Sequence, residues 1–190
     1  MTEADGVLFT RRTLVVSFAL ILLFGLVLYF QGRPAWCEDG LGLWTGAATG
    51  CTSQHLFDPY TLSHILHGVI FYWMLRPFAA RYPLRQRMIG ALVLEIGWEA
   101  LENSPWVIER YRQHTAALGY YGDSIINSLA DVLATILGFA VASRYSWKVS
   151  VAMFLVFELG MLYAARDNLT LNVLMLFFPI EAIKQWQLAA

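Results

Sequence analysis

Two imidazoles and a run of carboxylates recur at helical spacing in three neighbouring stretches of this sequence. His64 and His67 are three residues apart, Glu95, Glu99, Glu102 and Asn103 follow one another at intervals of four, three and one, and Asp123, Asn127 and Asp131 at intervals of four. Residues three, four, seven or eight apart share a helical face, so each set forms a stripe. Imidazoles with carboxylates in i,i+3 and i,i+4 pairs are what Zn2+ or another divalent transition metal would use inside a helical bundle. A metal held that way could activate water or polarise a phosphoryl oxygen. His64, His67, Glu99 and Asp123 are the metal-ligand candidates, and Glu99, Glu102, Asp123 and Asp131 the catalytic ones. Asn103 and Asn127, with Arg166, Asp167 and Asn172 from a fourth polar motif, are candidate binding residues. A single His-x-x-His is weak evidence for metal. The bland alternative is a structural network of carboxylates bonded to His and Asn, but that requires fewer acids, because crowded carboxylates repel one another. Shared protons or Arg166 are other ways to neutralise them.

The stripes lie in apolar surroundings. Hydrophobic residues make up 58% of the 190, charged residues 14%, and the mean hydropathy is +0.53. A chain this short has too little interior to hide that much apolar surface, so lipid is its natural solvent. The apolar runs are continuous rather than alternating, which indicates helices. Six membrane spans are expected, at about 13–30, 61–78, 88–106, 124–143, 149–165 and 169–183, with an external connection at 31–60. Together they form one all-α polytopic transmembrane bundle over 1–190, a single domain without soluble appendages or internal repeats. With the N-terminus inside, nine Lys and Arg fall on the cytoplasmic side and four outside, the bias expected of basic loops, and six spans would leave both termini in the cytoplasm. Basic residues are spread between apolar runs rather than gathered in a patch, which excludes nucleic acid as a partner. The first span follows Arg11 and Arg12 and lacks a small-x-small cleavage site, so it reads as an uncleaved anchor.

The only cysteines, Cys37 and Cys51, both fall in the external connection. Joined, they would close about 15 residues, worth about 3 kcal/mol; unjoined, they are two free thiols in a Gly-rich loop. Trp36, Trp44, Tyr60, Trp106, Tyr120 and Tyr121 fall at external boundaries, where amphipathic rings settle at headgroup level. An ionisable group at mid-bilayer costs roughly 2.5–3.5 kcal/mol, so each should face the bundle interior. At 1.5 Å per residue, Glu102 and Asp123 sit near the external surface and Glu95 and Asp131 roughly 10–12 Å deeper. The expected product is a polar funnel open to the outside. Glu158 and Glu181 read as isolated, Glu181 near Lys184 at the cytoplasmic interface, His55 and His114 as solvated, and Gly97, Gly138 and Gly160 as sites of close helix packing. No Gly-x-Ser-x-Gly, phosphate-cradling loop or Cys-His arrangement is present.

Four ordered motifs carry a resemblance: Asp58-Pro59-Tyr60-Thr61-Leu62-Ser63-His64-Ile65-Leu66-His67-Gly68, Glu95-x-x-Trp98-Glu99-x-x-Glu102-Asn103-Ser104, Gly122-Asp123-Ser124-x-x-Asn127-Ser128-x-x-Asp131, and Arg166-Asp167-Asn168-Leu169-Thr170-Leu171-Asn172. Across nearly its whole length the chain resembles the bacterial inner-membrane family known as UPF0314 or DUF2585. The resemblance implies a multi-pass inner-membrane protein and no activity. The second to fourth spans are more loosely similar to VanZ-like membrane proteins.

Three functions compete. The first is a metal-assisted hydrolase or transferase acting on a lipid headgroup, with a divalent metal as cofactor and membrane lipid as partner. The second is a proton or ion translocator, which would need polar residues below Glu95 and Asp131, where Leu92, Leu94, Leu133 and Ile136 stand instead. The third is a non-catalytic module binding lipid or protein.

Overall fold

The structure, a computed structural model, describes residues 8–47 and 49–189. Among them it is all-helical apart from an isolated bridge between Trp44 and Phe57. The helices are α1 (Arg11–Phe30), α2 (Thr61–Leu75), α3 (Leu84–Glu102), α4 (Pro105–His114), α5 (Ile125–Arg144), α6 (Trp147–Ala165), α7 (Leu169–Phe177) and α8 (Glu181–Leu188).

Side-chain caps and prolines set the boundaries. Thr10 and Thr13 make a capping box at α1, and Ser104, Ser124 and Asn168 cap α4, α5 and α7, each satisfying a backbone N–H that has no partner within its helix. Pro83 precedes α3 and starts it at Leu84, four residues before the expected Met88. Pro105 forces Ser104 into extended backbone, so the segment expected to continue to Trp106 breaks after Glu102 and resumes as α4.

Among the described residues three helices, α1, α5 and α6, are long and apolar enough to cross a membrane, fewer than the six expected. At 15 residues, α2 is about 22 Å long and runs into a 3-10 turn at Arg76–Phe78 around Pro77. The 19 residues of α3 include two arginines and three glutamates. The stretch 169–183 is not one helix. Pro179 has no N–H to give and disfavours helical backbone at Phe178, so α7 ends and α8 turns back. Gln187 of α8 then donates to the Arg166 carbonyl at 3.0 Å and to Asp167 at 3.2 Å, just ahead of α7. Lys184 does not head away toward an opposite face; it donates to the Gln113 carbonyl at the end of α4, 2.7 Å away.

The centre of the bundle is the contact between α2 and α5. A Cβ on Gly68 would run into the Thr135 carbonyl, and one on Gly138 into the Ile65 carbonyl, so the two backbones touch because both positions lack side chains. Gly97 and Gly160, expected to play the same part, have no such neighbour within 4 Å. Thr135 adds a 2.8 Å hydrogen bond to the His64 carbonyl. Leu8, Leu84, Met88 and Phe139 pack at one end of this crossing, and Phe24, Leu28, Leu92 and Val132 close its middle. The end left over holds the polar stripes, and the connection 31–60 lies across it. There Cys37 and Cys51 are joined in a disulfide with Cα atoms 5.7 Å apart.

Candidate functional site

Asp58 fixes where α2 begins. Its carboxylate accepts from the backbone N–H groups of Ser53, Tyr60 and Thr61, and burial pushes it above the ordinary aspartate range. With α2 started there, His64 and His67 both point at α3.

Glu95, fully buried, stands between the two imidazoles. One oxygen is 2.6 Å from Nδ1 of His64 and the other 2.9 Å from Nδ1 of His67. Nδ1 of His64 is also 3.2 Å from Glu99, and its Nε2 is 3.9 Å from Asp131. Three carboxylates from two helices thus surround one ring. Neither oxygen of Glu99 has a hydrogen-bond partner, nor does Oδ1 of Asp131, although these residues are 1% and 3% exposed. A buried carboxylate in that condition needs a proton or a cation. Two sets of donor atoms, from His64, His67 and Glu95 and from His64, Glu99 and Glu102, lie within 4.8 Å of one another, compact enough for a metal ion.

Asp123, read from sequence as a ligand beside the histidines, belongs to neither set. It pairs with Asn103, whose Nδ2 donates to Asp123 Oδ2 at 2.9 Å while the Asp123 backbone N–H donates to Asn103 Oδ1 at 2.7 Å. Tyr120 donates to its other oxygen at 3.1 Å, and burial raises its pKa. Further out, the Tyr111 hydroxyl is 3.1 Å from Glu102 and 2.7 Å from Asn172. Tyr60 donates to Asp167 at 3.2 Å, and burial lifts Asp167 to a pKa of about 6.

His64, Glu102, Asp123, Asp131, Asp167 and Asn172 all line one cavity of about 980 Å3. Residues of the fourth motif thus line the same cavity as the other three, Arg166 included, but its guanidinium turns to Trp186. Arg166 adopts left-handed backbone at φ 50°, lies over the Trp186 ring and donates to the Trp186 carbonyl at 3.0 Å; it neutralises none of the acids. Asn127 lines the cavity too, and its Nδ2 has no partner.

Several residues here escape a sequence reading. Glu95 lies on the recognised stripe, but only the geometry shows that it, and not Asp123, serves both histidines. Tyr60 and Tyr120 turn inward, whereas Trp36, Trp44, Trp106 and Tyr121 stay exposed as interfacial rings would. Tyr111 and Gln187 fall outside every apolar run and carry no periodic signal. Glu158, read as isolated, accepts from the Leu169 and Thr170 N–H groups at 2.9 and 3.1 Å. It caps the α7 N-terminus from α6.

The profile of a family described as "Protein of unknown function (DUF2585)" matches residues 28–189. A protein of Sphingopyxis alaskensis is 46% identical over 180 residues, covering 94% of this chain and 96% of its own. One of Paracoccus denitrificans is 43% identical over 187 residues, 96% and 97% of the two chains, and one of Brucella anthropi 50% identical over 161 residues, 84% and 82%. All three are described as UPF0314 proteins. No solved structure matches.

Proposed function

The chain belongs to the DUF2585 family, and we propose that it is a multi-pass protein of the bacterial inner membrane that holds a divalent metal in its His/Glu/Asp cluster and uses it for hydrolysis or transfer at a lipid headgroup. In this reading residues 1–190 are one membrane domain. Five helices, α1, α2, α3, α5 and α6, cross the bilayer, while α7 and α8 enter it and return. The N-terminus is cytoplasmic, and the end of α8 shares the opposite face with the 31–60 connection. Moving Lys184 to that face leaves eight Lys and Arg inside and five outside, which keeps the positive-inside bias.

The observation that carries the proposal is Glu99, whose two oxygens lack hydrogen-bond partners while His64, with Asp131 on its far side, stands 3.2 Å away. His64, Glu99, Glu102 and Asp131 would hold the ion, a mixed set suited to Zn2+ or Mn2+. Glu95 orients the imidazoles through Nδ1, as carboxylates do behind metal-bound histidines. A metal so bound supplies Lewis acidity and a water of lowered pKa. The protein adds exclusion of bulk water, and Asn127 as a donor to a substrate oxygen.

Translocation lacks support, because Leu92, Val132 and Phe24 seal the bundle below the cluster. Metal analysis of the purified protein tests the proposal. About one divalent ion per chain, lost in Glu99→Gln and His64→Asn, is expected, together with a lower melting temperature in chelator. A metal-free protein unaffected by chelator would overturn it and favour the non-catalytic module that binds lipid or protein.

A further inference from the structure

The cavity wall has an unusual charge balance for a site that meets lipid. Among the described residues it carries four acids, Glu102, Asp123, Asp131 and Asp167, against one arginine, Arg166, whose guanidinium is engaged with Trp186, and two histidines, His64 and His67, whose Nδ1 atoms both face Glu95. Among the described lining residues there is no lysine, and no arginine but Arg166, to receive an anionic headgroup. The aromatic rings of Tyr60, Trp98, Tyr111 and Tyr120 complete the wall, with Tyr111 and Tyr120 edge to face at 5.4 Å. Carboxylates with aromatic faces are the surroundings an ammonium group selects. Asp167, which is outside the metal-ligand set, retains capacity for it, since its Oδ2 accepts from Tyr60 and each carboxylate oxygen has about two acceptor positions.

Two further observations point to a ligand. Asn127 is 1% exposed, lines the cavity and has a donor without a partner, which calls for an oxygen near the cationic group. A second, apolar groove lined by Ile70, Phe154, Val173, Leu174 and Phe177 runs between α2, α6 and α7, and Leu169 borders both this groove and the cavity. Polar chamber and apolar groove therefore meet at one side chain, as the two halves of an amphiphile would require.

We propose that the cavity binds the amine-bearing headgroup of a membrane lipid, with the acyl chain of the same molecule in the groove beside Leu169. This rests on the reading of the cavity as a lipid-headgroup site and goes beyond it in naming the headgroup. The ammonium lies beside Asp167 among the tyrosines, and an ester or phosphate oxygen accepts from Asn127.

The test is native mass spectrometry of the purified full chain, titrated with phosphatidylethanolamine, phosphatidylcholine, phosphatidylglycerol and a glucosyl diacylglycerol of matched acyl chains. Metal content is measured on the same samples. Retention of the two amine lipids at least tenfold above the anionic and glucosyl lipids is expected. Asp167→Asn should reduce that preference several-fold with metal content unchanged, and Val173→Trp, which fills the groove, should weaken all binding. Equal retention of the four lipids, or preference for the anionic or glucosyl one, overturns the inference even if metal is present. Amine selectivity in a metal-free protein leaves it standing and removes the metal instead.

Discussion

Oε1 of Glu95 lies 2.6 Å from Nδ1 of His64, and the other oxygen of the same carboxylate holds His67 one turn on. One acid on α3 thus sets the rotation of two imidazoles on α2. Glu95→Gln keeps one acceptor and offers an NH2 group to the other ring, so one histidine loses its orientation. Metal affinity is expected to fall 10–100-fold, the usual effect of losing such a supporting carboxylate. Metal titration checks this, with Glu99→Gln as the comparison that removes a ligand outright. Affinity equal to the wild type would show that the histidines are positioned without Glu95.

The α2–α5 crossing gives a prediction with an internal control. At Gly68 and Gly138 an added methyl would meet a carbonyl of the facing helix, and backbone cannot yield as a side-chain tip can. Gly68→Ala and Gly138→Ala should each cost at least about 2 kcal/mol as the helices separate. Gly97→Ala meets nothing within 4 Å and should be neutral or stabilising by up to about 1 kcal/mol through helix propensity. Thermal unfolding of the three variants in one detergent decides it.

These two relationships mark how far the sequence could be read. The stripes on α2, α3 and α5 were legible because a helix repeats every 3.6 residues, so spacing alone puts Glu95, Glu99 and Glu102 on one face. Which partner each finds depends on helix rotation and depth. His64 and Asp131 approach one another only because Gly68 and Gly138 let α2 and α5 touch, and nothing local to either acid or imidazole announces that. Gly97 and Gly160 looked equivalent to Gly138, but whether a glycine meets another backbone depends on the facing helix. The turn after Phe177 was hidden by hydropathy, since Phe178, Pro179 and Ile180 extend an apolar run while Pro179 ends the helix.

Glu158 caps α7 from a neighbouring helix. Its carboxylate satisfies two backbone N–H groups in the first turn, at Leu169 and Thr170. Glu158→Ala leaves the buried Leu169 N–H without an acceptor and the exposed Thr170 N–H without its carboxylate, at about 1–3 kcal/mol. The loss should be local, because the other anchors of α7 and α8, Arg110 on the Leu176 and Phe177 carbonyls and Lys184 on the Gln113 carbonyl, run to α4. Hydrogen exchange is expected to quicken across 169–188 and stay unchanged in α2 and α5. Uniform acceleration would mean that Glu158 supports the whole bundle.

Replacing Cys37 and Cys51 together by Ser removes a closure with sequence separation 14, about 3 kcal/mol in the chain-entropy model. The connection also holds itself through the Leu56 N–H to Gly42 carbonyl bond and the Cys37 N–H to Gln54 carbonyl bond, so the native arrangement should persist with faster proteolysis at 38–50. Limited proteolysis with and without reductant reads this directly. Identical cleavage rates would show that the disulfide adds nothing to those hydrogen bonds.

Asp167 sets a pH dependence whose sign is opposite to that of an ordinary paired carboxylate. Its pKa rises from 3.8 to about 6 on folding because burial outweighs the bonds from Asn168, Tyr60 and Gln187. The folded chain therefore holds this proton more tightly than the unfolded one, and stability falls as pH climbs from about 4 to about 6. Tyr60, which faces it, is pushed well above its usual range and stays neutral throughout. Asp167→Asn has no charge to bury. Its melting temperature relative to wild type should rise between pH 4 and pH 7 and level off above. A difference between the two proteins that does not change with pH would place the Asp167 carboxylate in contact with water rather than beneath α8.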